Sequence, residues 1–102
     1  MKREIKFICH GQIWRDKVNG NTYHSVRITR TSDGKTLACP FQYGYGDHYR
    51  QTALHKLVEK NWINCSIEDS YRYERNNNYP IYWSLSEGTK KECIRNGEDT
   101  NE

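Results

Sequence analysis

Pro40-Phe41-Gln42-Tyr43-Gly44-Tyr45-Gly46-Asp47-His48-Tyr49-Arg50-Gln51-Thr52-Ala53-Leu54 is the stretch where a hydrophobic period of two gives way to a helical one. Leu37, Cys39 and Phe41 alternate with polar neighbours and predict the end of a strand over 35–43. Ala53, Leu54, Leu57 and Val58, preceded by Tyr49 or Arg50, make a stripe on one side of a helix that runs to Asn61. Between them Gly44 and Gly46 loosen the backbone, and Asp47 is an expected N-cap for a helix over 47–61.

Toward the N-terminus the period of two continues. Ile5, Phe7, Cys9 and Ile13 fall on one face of a strand over 5–14, and Lys6, Ile8, His10, Gln12 and Trp14 on the other. A second strand over 22–30 sets Val26 and Ile28 against Tyr23, Ser25, Arg27 and Thr29. Asn19-Gly20 and Asp33-Gly34 stand between the strands as hairpin signals. Two-residue turns at these sites would pair Ile13 with Val26 and Ile28 with Cys39. They would gather Ile5, Phe7, Cys9, Ile13, Val26, Ile28, Leu37, Cys39 and Phe41 on one side of a β-meander. Pro40 cannot donate to a ladder, so the third strand is expected at an edge.

Downstream of the helix, 64–78 is polar, ends in three asparagines and reads as a loop. Pro80 opens a fourth strand near 79–85, with Ile81, Trp83 and Leu85 on one face and Tyr82 and Ser84 on the other, expected beside strand one. Ser86 is an expected cap for a short C-terminal helix through Cys93 and Ile94, stopped at Gly97. The expected fold is α+β, a four-stranded antiparallel sheet packed on one helix. It forms a single domain over 1–97, with a polar tail over 98–102.

The chain of 102 residues has room for one modest core. Mean hydropathy is −1.09, yet three Trp, eight Tyr and two Phe supply large buried area with polar handles, which argues against disorder. A net charge of +3 is too small to demand a long nucleic-acid track. Cys9, Cys39, Cys65 and Cys93 are widely spaced, without a Cys-x-x-Cys pair or a zinc pattern. With no leader-like start and no long apolar run, the expectation is a cytoplasmic protein with reduced thiols, no cofactor and no membrane partner.

Two groups of residues are candidate sites. The second sheet face would carry His10, Gln12, Trp14, Tyr23, Ser25, Arg27, Thr29 and Gln42, joined by Tyr82. Trp, Tyr and Arg on an open sheet stack bases in several modules, and the same residues favour a homodimer or partner-protein interface. The hinge Tyr43, Gly44, Tyr45, Gly46, Asp47, His48, Tyr49 and Arg50 resembles an anion cradle at a helix start. It lacks the lysine of a P-loop, and Asp47 would compete with an anion, so a structural turn is the other reading. The four histidines are scattered over three elements and no Ser or Cys is tied to one by local spacing, so no catalytic set is assigned.

The runs 20–27 (GNTYHSVR), 40–49 (PFQYGYGDHY), 79–81 (YPI) and 92–97 (ECIRNG) together resemble a group of small accessory proteins of tailed phages and gut metagenomes. The resemblance covers most of the chain and brings no enzymatic role. It implies action in the bacterial host cell, where many such proteins antagonise defence by binding an effector or sequestering a nucleotide signal. The expectation is therefore a non-enzymatic protein that blocks a host factor by protein–protein contact. The alternative is a binder of a nucleotide signal or single-stranded nucleic acid.

Overall fold

A computed structural model describes residues 3–98. Its elements in chain order are β1 (Phe7–Asp16), β2 (Asn21–Arg30), β3 (Thr36–Tyr43), α1 (His48–Glu59), a 3-10 turn (Ser70–Arg72), α2 (Tyr73–Asn76), β4 (Ile81–Glu87) and α3 (Lys90–Asn96). The polar tail expected over 98–102 lies, beyond Glu98, outside the described residues. The sheet order is β3-β2-β1-β4, with β3 at an edge and β4 beside β1, as the sequence predicts.

Both hairpins close on a left-handed glycine at the end of a four-residue loop, not on a two-residue turn. Gly20 has φ 72° and donates to the Asp16 carbonyl (2.8 Å), and Gly34 has φ 76° and donates to that of Arg30 (2.8 Å). A type I′ turn would need positive φ at Asn19 and Asp33, and neither adopts it. The Asp16 carboxylate instead accepts from the Val18 and Asn19 N–H groups, and Arg30 holds Asp33 at 2.7 Å. Each loop is longer than expected by two residues, so the register moves by two: Ile13 faces His24, Val26 faces Gly11 and Cys39, and Ile28 faces Leu37. An even shift leaves every side chain on its predicted face.

Parity breaks only at Pro40. Val26 pairs with Cys39 but His24 pairs with Gln42, so β3 carries one extra residue there. A residue without an N–H tolerates the lost ladder bond. The bulge turns Phe41 away from the predicted core onto the second face, and Gln42 from the second face to the α1 side.

β4 runs parallel to β1, which corrects the all-antiparallel expectation. The reason is the helix: β3 runs one way, α1 returns, and β4 sets out again in the direction of β3 and β1. The segment 64–78 is not plain loop but contains the 3-10 turn and α2.

α1 buries Tyr49, Ala53, Leu54 and Leu57 on Phe7, Cys9, Val26, Ile28, Cys39 and Ile81. Gly11 has a role in this packing that periodicity does not show. A Cβ there would run into the Tyr49 ring, so the glycine lets Tyr49 lie on the sheet. Beyond the helix, Trp62 stacks on Phe7 with ring centres 6.2 Å apart, under the guanidinium of Arg30 at 4.1 Å.

Candidate functional site

Helix α3 decides what the second sheet face can do, because it lies across the middle of that face. Thr89, not Ser86, is its N-cap, in a capping box with Glu92; Ser86 belongs to β4. The buried Ser25 hydroxyl donates to the Cys93 carbonyl. The Cys93 thiol donates to the Gln12 carbonyl (3.1 Å), and Asn96 Nδ2 donates to the His10 carbonyl (3.3 Å) and to Ser25 Oγ (3.2 Å). Gly97 has φ −96° and so is no left-handed stop; a Cβ there would stand 2.6 Å from the Cys39 carbonyl oxygen. It is the point where the chain touches β3.

The predicted face is thereby split. On one side of α3, His10 Nδ1 lies 2.8 Å from Ser84 Oγ and its Nε2 3.2 Å from Ser86 Oγ, so the strand neighbours satisfy both ring nitrogens. Tyr82 is exposed beside them. Arg27 donates to the Glu98 carbonyl (2.7 Å) and, with Gln12, Glu92, Arg95 and Asn96, lines an open cleft of about 360 Å³.

On the other side, at the end that carries the β1–β2 hairpin and the glycine hinge, four rings meet. Trp14 stacks on Tyr23 (5.7 Å, 28°) and Tyr23 on Phe41 (5.0 Å, 10°). Tyr43 stands edge-on to Tyr23 (5.8 Å, 82°), and the Lys90 ammonium lies 5.4 Å from the Trp14 ring centre. Trp14 and Tyr23 are where strand alternation puts them; Phe41 and Tyr43, which alternation with Leu37 and Cys39 would set on the core side, reach this face only through the bulge.

The hinge residues do not converge on one point. Gly44 donates to the Thr22 carbonyl (3.0 Å), with φ 154°; a Cβ there would meet the His24 ring at 2.7 Å. Gly46 has φ 60°. Asp47 precedes α1 without a side-chain cap bond, contrary to expectation. His48 tilts against His24 (5.2 Å), Tyr49 is buried, and Arg50 stacks over Trp83 (5.1 Å). Tyr45 is exposed next to Tyr43.

His24 is the residue sequence reading missed. It is 1% exposed on the α1 side of β2. Its Nδ1 is 3.2 Å from the Gly44 carbonyl and its Nε2 2.8 Å from the Thr52 hydroxyl. The signal was its place two residues before Val26, on the core face.

Two further clefts flank the segment between α1 and β4. One, of about 500 Å³, is lined by Phe7, Trp62, Asn64, Arg72 and Tyr73. The other, of about 510 Å³, is lined by Arg50, Leu54, His55, Ile67 and Tyr71. Among the described residues no group of three or more His, Cys, Asp or Glu is placed to hold a metal ion, and no helix is long and apolar enough to cross a membrane. No protein-family model matches the chain, and neither a curated protein nor a solved structure does.

Proposed function

We propose that the chain is a non-enzymatic binding protein whose aromatic end engages a partner protein. In the phage setting that its sequence resemblance implies, the partner is a host defence factor, which is blocked by the contact. The observation that carries this reading is how the rings are used. Trp14, Tyr23 and Phe41 stack on one another, and Lys90 sits over Trp14. Base stacking needs free ring faces, whereas a protein interface uses ring edges and hydroxyls just as well. Around the rings the same end exposes Tyr43 (58%) and, at the hairpin tip, Val18 (93%). Lys17 and Lys90 add positive charge there, which fits a partner surface that is apolar at its centre and acidic at its rim.

The test compares capture of a host protein by the wild type and by Tyr43→Ala, with Trp fluorescence titrations against nucleotides and a short single strand. Tyr43 is exposed, so the fold should survive its loss. A hot spot here would cost ~2 kcal/mol of partner affinity. Capture that is indifferent to both Tyr43→Ala and Trp14→Ala would sink the proposal. Nucleotide binding in which each ring contributes ~1–3 kcal/mol would favour the alternative.

A further inference from the structure

β4 ends the sheet on the side away from β3. In a parallel ladder alternate residues bond the neighbouring strand. The Pro80 carbonyl accepts from the Phe7 N–H (3.2 Å) and the Gly88 N–H donates to the Ile13 carbonyl (3.0 Å), so the even-numbered residues face β1. Ile81, Trp83, Leu85 and Glu87 therefore aim their N–H and C=O groups outward. Arg3 covers the start of this edge, donating through Nη2 to the Ile81 carbonyl (2.8 Å) and through Nε to that of Tyr79 (2.6 Å). Among the described residues nothing bonds the outward backbone groups of Trp83, Leu85 and Glu87.

The two edges of the sheet are treated differently. β3 is blunted by Pro40 and its bulge, both of which discourage a further strand. β4 has no proline, no bulge and one charge, Glu87, which Arg15 neutralises at 3.2 Å. It is flanked by half-exposed apolar side chains on both faces, Tyr82 (55%) and Leu85 (43%).

We infer that this edge pairs with the same edge of a second copy, antiparallel about a two-fold axis at Leu85, to make one continuous sheet across two molecules. The length of the free edge selects this occupant. In that register Leu85 exchanges both backbone bonds with the second copy's Leu85, and Trp83 and Glu87 exchange theirs reciprocally. Every outward group between the two Arg3 side chains is then used, and neither arginine has to leave its carbonyls. Ser84 falls opposite Ser86 on the other face, and the Glu87–Arg15 pair brings no unbalanced charge to the axis. An unrelated extended peptide of greater length would have to displace Arg3. The contact is short, so association should be weak and concentration-dependent. Such pairing would set two aromatic ends on the same face of the joined sheet, but it does not depend on what those ends bind.

Analytical ultracentrifugation from about 10 μM to about 1 mM tests it. The wild type should pass from monomer to dimer across that range. Leu85→Pro removes an outward N–H and no bond to β1, so it should stay monomeric with an unchanged circular dichroism spectrum. If that variant does not fold, charge reversal gives the same answer. Leu85→Lys and Leu85→Glu should each weaken self-association by about tenfold, because like charges meet at the axis, and mixing the two should restore it. A wild type that is monomeric throughout, a folded Leu85→Pro that still dimerises, or a mixture that fails to recover would each overturn the inference.

Discussion

His24 ties the glycine hinge to helix α1, and it does so as a neutral ring. Its Nδ1–H donates to the Gly44 carbonyl while Nε2 accepts from the Thr52 hydroxyl. Burial holds its pKa below the ordinary 6.5, and His48 nearby pushes the same way. The unfolded chain therefore binds a proton at a pH where the folded one does not. Stability is full above the unfolded value and falls as the pH drops below it. The carboxylates of Asp16, bonded by Asn19, and Asp33, held at about 2 by Arg30, are lowered and titrate below this window. The melting temperature should thus decline between about pH 7 and about pH 5, and His24→Gln should flatten the decline. An equal slope in the variant would mean that the decline does not come from His24. Gly44 answers to the same ring, since any side chain there meets it.

At the scale of elements, α3 is held by polar bonds and by one close approach at Gly97. Gly97→Ala would set a methyl against the Cys39 carbonyl and the Ser25 Cβ, at 2.6 and 2.8 Å. Lifting the helix should cost ~1–3 kcal/mol in urea unfolding and shift Trp fluorescence as Lys90 leaves Trp14. Thr89→Ala should cost ~1 kcal/mol through its cap alone. A Gly97→Ala protein as stable as the wild type would mean that α3 does not rest on β3. Sequence patterning is poor at showing this kind of contact. Cys93 is the one apolar side chain that α3 buries, so no hydrophobic period marks its docking, and Gly97 looks the same whether it serves a turn or proximity. Strand faces were legible because the alternation survives an even register shift. The bulge was not, since Pro40 announces an edge without saying that an extra residue follows; hence Phe41 and Gln42 were exchanged. Trp14 and Tyr23 were readable as one face, but Phe41 and Tyr43 join them only through the bulge, so the four-ring cluster was not.

For the whole molecule, the cysteines report the layers in which it is built. None is in a disulfide. Cys9 and Cys39 lie between the sheet and α1, Cys93 lies between the sheet and α3, and Cys65 is half-exposed beyond α1. Burial pushes all four thiols above their ordinary value, Cys39 to about 11 and Cys9 further, so little thiolate is present at neutral pH and access controls reaction. A thiol reagent applied to the folded protein should modify Cys65 first. Cys93 should follow when α3 opens locally, because its layer is the thinner one, and Cys9 and Cys39 should react together only on global unfolding. In denaturant without reductant all four should react. Mass spectrometry of the labelled peptides gives the order directly. Cys9 or Cys39 reacting ahead of Cys93 would mean that α1 leaves the sheet more readily than α3 does, against a core built almost wholly on the α1 side.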